Sequence, residues 1–239
     1  MSEPRTILIT GSARGLGSAM ARHLAASGSR LLLHYHTSER EALSLAESIR
    51  EMGAEAIPIG ANLADPQGRE DLIAAVAGQT QQLDVLINNV GIFEETPLLE
   101  ITPEQWDTTL AATCTAVFHL TRAFHPLLRE AAPARVINLG DSGADRITAR
   151  KQATDYHIAK LGVHVLTRSF ARVLGPDGIT VNQISPGFLE NSIGEPESPL
   201  PLGRRGTFAD VLAALDYLLS AEADYVSGAN LVVSGGWNL

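Results

Sequence analysis

Short apolar runs alternate with longer amphipathic stretches along the whole chain. The apolar runs have the length of strands and lack a strict alternation of polar and apolar residues, which is typical of strands buried on both faces. They cover residues 5–10, 30–35, 55–61, 84–88, 135–139, 179–184 and 229–234. The stretches between them have helical periodicity, at about 15–27, 38–52, 66–79, 103–130, 153–174 and 207–220. This alternation predicts a doubly wound α/β fold, with a parallel sheet covered by helices on both faces.

The bulk properties narrow the class of protein. With 239 residues, 45% of them hydrophobic, and no linker, repeat or low-complexity tract, the chain is expected to form one domain over residues 1–239. A net charge of −9 argues against a nucleic-acid partner, because binding to phosphates needs a basic face. The only cysteine, Cys114, can form no intrachain disulfide, and we interpret it as a small buried helix residue.

Targeting and membrane signals are also absent from the sequence. The first residues lead directly into an apolar strand, without the charged start, long apolar run and cleavage site of a signal peptide. No stretch is apolar enough to span a bilayer. We therefore expect a cytoplasmic protein with a small-molecule substrate and neither a membrane nor a nucleic acid as partner.

The segment TGSARGLG, residues 10–17, follows the first predicted strand and opens the first predicted helix. In this position Gly11 permits a tight turn, and Gly15 and Gly17 let the backbone approach a pyrophosphate closely. The helix N-terminus adds free N–H groups and the positive end of a dipole. The segment therefore predicts a dinucleotide-binding loop.

The end of the second strand indicates which dinucleotide binds. An NAD site usually has an acidic residue there, which holds the ribose 2′-hydroxyl. This chain instead reads His34, Tyr35, His36 and Thr37. Arg14 in the glycine loop, with Ser38 and Arg40 after the strand, favours a 2′-phosphate. We predict NADPH rather than NADH, and no metal site, because the histidines lack a third ligand at suitable spacing.

Tyr156 and Lys160 lie one helical turn apart, so their side chains project from the same face of a predicted helix. A phenol has an ordinary pKa near 10 and exchanges protons poorly at neutral pH. An adjacent ammonium and a positively charged nicotinamide would favour the phenolate. The pair therefore predicts a proton-exchange site beside a hydride carrier.

In their order along the chain, the glycine loop, NNVG at 88–91, Tyr156-x-x-x-Lys160 and SPG at 185–187 resemble the motifs of the short-chain dehydrogenase/reductase family. The resemblance covers essentially the whole chain. It implies an NAD(P)-dependent oxidoreductase with a single Rossmann-type domain and a seven-stranded parallel sheet. It also implies a homotetramer or homodimer, associated through the helices at about 103–130 and 153–174.

The resemblance also implies a set of residues around the cofactor, in which Lys160 bonds the nicotinamide ribose. Together with the glycines and Arg14, the set consists of Ser12, Leu16, His36, Thr37, Ser38, Asn62, Leu63, Asn89, Val90, Gly91, Tyr156, Lys160, Pro186 and Gly187.

The family's catalytic serine has no clear counterpart. It usually lies thirteen residues before the tyrosine, which is Gly143 here, whereas alignment from the preceding strand places Asp141 or Ser142 at that position. Both remain candidates. An aspartate at this place resembles the pteridine reductases, as does the stretch after the second strand, and a carboxyl group can hydrogen-bond or protonate the ring nitrogens of a pterin. The sequence therefore favours an NADPH-dependent pteridine reductase, of dihydropteridine or dihydromonapterin type.

Two alternatives stay open. A carbonyl reductase for a 3-oxoacyl thioester, quinone or ketone would use Ser142 with Tyr156 and Lys160. A non-catalytic NADP-sensing module would explain the altered serine position and Thr113, which stands where the family has a helix asparagine. A retained phenol argues against the second alternative. Asn191 stands where the family often has a threonine, and the loop at about 188–206, which we take as the substrate loop, is short.

Overall fold

The computed structural model describes residues 4–143, 145–194, 196 and 198–237. Seven parallel strands form one sheet in the order β3-β2-β1-β4-β5-β6-β7. They are β1 Thr6–Ile9, β2 Arg30–Tyr35, β3 Ala56–Gly60, β4 Val85–Asn88, β5 Ala134–Leu139, β6 Ile179–Pro186 and β7 Asn230–Val233. Every predicted strand is therefore present within two residues at each end, and the predicted fold class is confirmed.

Helices connect the strands and cover both faces of the sheet. They are α1 Gly15–Ala25, α2 Glu39–Glu51, α3 Pro66–Gln79, α4 Pro103–Leu110, α5 Ala116–Glu130, α6 Thr154–Leu174 and α7 Phe208–Leu219. The single helix predicted at 103–130 is divided, because a π-helical turn over Ala111–Thr115 separates α4 from α5. The other helices agree with the sequence pattern to within about two residues.

Successive strand residues enter two separate hydrophobic cores, as expected for strands buried on both faces. Ile7 and Ile9 of β1 pack with residues of α1, α2 and α7. Leu8, between them, packs with residues of α3, α5 and α6. The sheet is thus sealed on both sides, which leaves the loops at its carboxyl edge as the place for a site.

Parallel strands end at the same edge of the sheet, and the strand order reverses between β1 and β4. A ligand site in a doubly wound fold lies at such a reversal. The loops after β1, β4, β5 and β6 carry the glycine segment, the NNVG segment, Asp141 with Ser142, and the Pro186–Gly187 turn. Among the described residues, no helix combines the length and apolar character needed to cross a membrane.

Candidate active site

The glycine loop after β1 has the backbone conformation that the motif predicts. Gly11 and Gly15 have φ angles of +63° and +52°, in the left-handed region that side chains with a Cβ avoid. A Cβ on Gly17 would lie 2.2 Å from the carbonyl oxygen of Gly11. Helix α1 begins at Gly15, so its first N–H groups point into the loop and can receive a phosphate.

Asn89, after β4, holds this loop from one side. Its side-chain nitrogen donates to the carbonyl oxygens of Thr10, at 2.9 Å, and Gly11, at 3.0 Å. In return, the Thr10 hydroxyl accepts from the backbone nitrogens of Asn89, at 2.9 Å, and Val90, at 3.2 Å. The structure therefore joins two of the predicted cofactor segments through reciprocal hydrogen bonds.

His34 holds the loop from the other side, a role that the sequence did not reveal. Its Nδ1 accepts from the backbone nitrogen of Gly11 at 3.0 Å, and its Nε2 lies 3.1 Å from the Ala61 oxygen. Burial lowers the pKa of His34 to about 4, against an opposing effect of the Ala61 hydrogen bond. The ring is therefore neutral and Nε2 carries its proton, because Nδ1 is already an acceptor.

The adenosine end of the predicted cofactor site lies beyond β2. His36 and Thr37 are exposed, and Ser38 is half-buried at the start of α2. Arg14 reaches across from the glycine loop, where its Nη2 lies 2.8 Å from Oε1 of Glu41. Arg14, which the sequence assigns to the phosphate, is thus paired with the Glu41 carboxylate, a contact that no sequence motif indicates.

Asn62 and Leu63 follow β3 at the same edge of the sheet. Asn62 is half-buried, and its side-chain oxygen accepts from the backbone nitrogen of Ala64 at 3.1 Å. Leu63 is buried in the core. A Cβ on Gly68 would lie 2.2 Å from the backbone carbonyl oxygen of Asn62, so α3 packs directly against this turn and fixes its position.

Tyr156 and Lys160 lie on the first turns of α6 and face the loops after β4 and β5. The Nζ atom of Lys160 lies 5.6 Å from the centroid of the Tyr156 ring and donates to the Leu139 carbonyl at 2.6 Å. Lys160 is 3% exposed. A Cβ on Gly91 would lie 3.1 Å from the same Nζ atom, so any other residue there would require the ammonium to move by a few tenths of an ångström.

The charges around this pair differ from our expectation. Burial lowers the pKa of Lys160 to about 8, while Asp141 and Cys114 act in the opposite direction. The pKa of Tyr156 is raised above its ordinary value, first by burial and then by the negative charge of Asp141. Burial and Asp141 therefore act against the phenolate that the ammonium was expected to favour. The phenol keeps its proton at neutral pH, and its raised pKa makes it a weaker acid.

Of the two candidates after β5, Asp141 is the one whose charge acts on the pair. Its Oδ1 accepts from the backbone nitrogen of Gly143 at 2.9 Å, and its side chain is half-buried. Ser142 is 1% exposed, and its backbone nitrogen donates to the Pro186 oxygen at 3.1 Å. The Ser142 hydroxyl has no hydrogen-bond partner among the described residues. The charge of Asp141 thus acts on both Tyr156 and Lys160, and the Ser142 backbone joins the loop after β5 to the end of β6.

Three further residues complete the surroundings. Phe93 is 45% exposed, with its ring edge-on to Tyr156 at a centroid distance of 5.0 Å. No motif of the sequence predicts that Phe93 belongs to the site, and only its position two residues after NNVG indicates it. Thr113 is buried in the π-helical turn, where its hydroxyl accepts from the Ile92 nitrogen at 3.2 Å. Cys114, predicted to be buried, is only partly so.

The predicted substrate loop approaches the glycine loop through Asn191. A Cβ on Gly15 would lie 3.3 Å from the side-chain nitrogen of this residue. Arg205 donates to the carbonyl oxygens of Ser192, at 2.8 Å, and Gly194, at 2.6 Å, which closes the loop on itself. Residues 195 and 197 of this loop lie outside the described part of the chain.

The residues at this edge of the sheet are suited to bind a dinucleotide cofactor through its phosphates. At Gly15 only the Asn191 side chain approaches the position of a Cβ, and helix α1 begins there with its N-terminus at the loop. The buried ammonium of Lys160 lies beside Gly91 and the end of β5. Within the described ranges, no group of three or more His, Cys, Asp or Glu residues is arranged to hold a metal ion. The arrangement can bind a dinucleotide and donate a proton beside it.

Comparison with known proteins identifies the family. A family model described as enoyl-(acyl carrier protein) reductase matches residues 11–238. A 3-oxoacyl-[acyl-carrier-protein] reductase of Staphylococcus aureus is 31% identical over 99% of both chains. The corresponding reductase of Synechocystis sp. is 34% identical over 96% of this chain and 95% of its own.

The fold comparison agrees. A short-chain dehydrogenase from Burkholderia cenocepacia, solved in complex with NADP, superposes with a TM-score of 0.90 at 30% identity and covers 98% of each chain. The likeness thus spans the sheet, the glycine loop and helix α6 together. The chain belongs to the short-chain dehydrogenase/reductase family of oxidoreductases.

Proposed function

We propose that this protein is an NADPH-dependent reductase of carbonyl groups in which Tyr156 donates the proton. The observation that carries the proposal is the placement of Tyr156 and the buried Lys160 beside Gly91, at the sheet edge that also holds the glycine loop. NADPH is supported by Arg14 in that loop, by the absence of an acid at the end of β2, and by the NADP bound to the Burkholderia relative.

Each residue would have a separate part in the reaction. Bound NADPH would supply a hydride from its nicotinamide. The backbone of Gly11, Gly15 and Gly17 would hold the pyrophosphate. Lys160 would hold the nicotinamide ribose, and Tyr156 would donate its proton to the oxygen as negative charge develops on it. Burial and Asp141 raise the pKa of Tyr156 and so make the phenol a weaker acid. The positive charge of Lys160 beside the ring would offset this as the proton is transferred.

For the substrate, the relatives favour a 3-oxoacyl thioester, since both curated relatives described above are named for that activity. They give no support to the pteridine reductase that the sequence favoured. Two observations keep a pterin as the second candidate. The Asp141 carboxylate influences both Tyr156 and Lys160, and the exposed ring of Phe93 offers a flat apolar face beside Tyr156.

The test is NADPH oxidation by the purified protein with an acetoacetyl thioester and, separately, dihydrobiopterin. We expect thioester turnover that falls by at least about 100-fold in Tyr156→Phe, because proton donation in the transition state contributes about that much or more. Direct NADPH binding should persist in that variant.

One further variant, Asp141→Ala, distinguishes the two candidate substrates. Thioester turnover that survives Asp141→Ala supports the carbonyl reductase. Pterin turnover that is lost in Asp141→Ala, with no thioester turnover in the wild type, would replace it by the second candidate. Binding of NADPH without turnover of either substrate would contradict both and indicate a sensing module.

A further inference from the structure

Two arginines that the sequence assigns to a 2′-phosphate converge on one carboxylate instead. Glu41, on the first turn of α2, lies 2.8 Å from Arg14 and 3.8 Å from Arg40. The side chain of Glu41 is 33% exposed, whereas those of Arg14 and Arg40 are 65% and 93% exposed. A single carboxylate therefore stands where two cations could otherwise meet an anionic ligand.

The space around Glu41 allows its ion pair with Arg14 to break. Glu41 lies on the wall of a surface cavity of about 360 Å³ between α1 and α2. The cavity also has two arginines and two serines in its wall, so a released carboxylate would remain solvated and close to positive charge. Its lining residues are Ala13, Ser18, Arg22, Arg40, Glu41, Ser44 and Leu45.

The contact is also weak enough to be exchanged. Ion pairs between exposed side chains are worth little, because water and salt screen them. A phosphate monoester carries nearly two negative charges and three acceptor oxygens, and a guanidinium binds it through paired hydrogen bonds. A 2′-phosphate would therefore compete successfully with Glu41 for Arg14. NADH has no such group and leaves the ion pair undisturbed.

We propose that Glu41 is an internal competitor for the 2′-phosphate of NADPH, which occupies Arg14 in the free protein and so sets how strongly NADPH is preferred over NADH. This inference rests on the NADPH specificity proposed above. Glu41 would thus be a specificity-determining residue that touches no part of the reacting centre, because its role is confined to the arginines at the adenosine end.

The chain offers a matched control. Glu39 lies on the same first turn of α2, but its carboxylate accepts from the Tyr35 hydroxyl at 3.2 Å rather than from an arginine. Glu39→Gln therefore removes the same charge from the same turn and leaves the Arg14 contact in place.

The experiment measures the dissociation constants of NADPH and NADH with the full chain by nicotinamide fluorescence, at fixed ionic strength. Glu41→Gln should lower the NADPH constant by about two- to fivefold, the range that a surface ion pair can supply. The NADH constant should stay at its wild-type value, and Glu39→Gln should change neither. In an Arg14→Gln background the gain from Glu41→Gln should shrink, because its partner is gone.

The outcomes separate the two proposals. Wild-type preference for NADPH with no gain in Glu41→Gln, or with an equal gain in Glu39→Gln, overturns the role of Glu41 and leaves the NADPH proposal intact. A wild-type protein that binds NADPH no better than NADH overturns the cofactor proposal, and the role of Glu41 falls with it.

Discussion

Asp141 is the residue whose negative charge acts on both Tyr156 and Lys160. Its carboxylate raises the pKa of Lys160, against the larger lowering by burial that brings that pKa to about 8, and it raises the pKa of Tyr156 further. Both effects have the same sign, because a negative charge disfavours the loss of a proton from either neighbour. Burial sets the larger part of both pKa shifts, and the charge at position 141 moves the pH ranges over which Lys160 is charged and Tyr156 is protonated.

A pH profile of the reductase tests this charge balance. Since the folded pKa of Lys160 is about 8, the ammonium is present below that pH and is lost above it. Carbonyl reduction should therefore decline as pH rises through about 8, while Tyr156, with its raised pKa, stays protonated. Asp141→Asn removes a charge that raises the pKa of Lys160, so the decline should begin at lower pH.

The measurement is kcat/KM between about pH 6 and 10 for the wild type and for Asp141→Asn. Glu130→Gln, at an exposed position at the end of α5, is the control for a general loss of negative charge. An alkaline limb at the same pH in the wild type and in Asp141→Asn would show that Asp141 does not influence the titration.

At this scale the sequence predicts which residues meet but not how their charges balance. Spacing alone predicts that Tyr156 and Lys160 share a helix face, because helical geometry is local. The raised pKa of Tyr156 depends on burial, and the occupation of Arg14 by Glu41 depends on how α2 packs beside the glycine loop. The bridge that His34 forms is also a tertiary contact, which no local pattern announces.

The glycine loop and α1 act as one element, because Gly17 lies against the loop backbone. A Cβ there would be 2.2 Å from the Gly11 oxygen, so Gly17→Ala must displace the backbone. We expect it to lower the free energy of unfolding by about 1–3 kcal/mol, as overpacking does, and to weaken NADPH binding. Chemical denaturation and direct cofactor titration measure the two effects.

Gly78→Ala is the matched substitution. Gly78 lies in the last turn of α3, and a Cβ there would meet no atom within 4 Å. The same change should therefore stabilise the protein by at most about 0.5 kcal/mol, through helix propensity alone. If Gly17→Ala were as stable as the wild type and bound NADPH equally well, the close approach in the loop would have no energetic weight.

At the scale of elements, the sequence pattern predicts the strands and most of the helices, because short apolar runs and longer amphipathic stretches alternate along the chain. The exception is the interruption between α4 and α5. A π-helical turn over Ala111–Thr115 keeps the helical direction and closes with the Ala116 nitrogen bonded to the Ala111 oxygen. Periodicity continues through it, so the pattern predicts one helix. Cys114 in this turn packs against Gly162 of α6, where a Cβ would lie 2.6 Å from the sulfur.

On the scale of the whole molecule, buried amides and hydroxyls join the sheet to helix α6. The Asn88 side chain donates to Asn138 at 2.8 Å, and Asn138 donates to the Thr167 hydroxyl of α6 at 2.9 Å. All three residues are at most 3% exposed. Asn138→Ala would leave polar atoms on both neighbours without this partner, and unpaired buried groups are costly.

We therefore expect Asn138→Ala to lower the free energy of unfolding by about 2–4 kcal/mol, from two weakened hydrogen-bonding groups and a small cavity. Urea denaturation measures the change, and Gln81→Ala, at an exposed loop position, should be neutral within about 0.5 kcal/mol. A loss in Asn138→Ala no larger than in the control would mean that the network adds nothing to stability.

Assembly is the remaining property of the whole molecule, and a homodimer or homotetramer is still a prediction from family resemblance. Phe118 on α5 and Val165 on α6 are 41% and 56% exposed, and the Phe118 ring lies 6.2 Å from that of Phe170. Apolar side chains on two adjacent helices favour burial against a second copy.

Light scattering after size exclusion should give two or four times the subunit mass for the wild type. Val165→Asp should lower that mass, because association would bury its charge, whereas Leu43→Asp, on α2 at 50% exposure, should leave it unchanged. A monomeric wild type, or equal dissociation in both variants, would contradict assembly through α5 and α6.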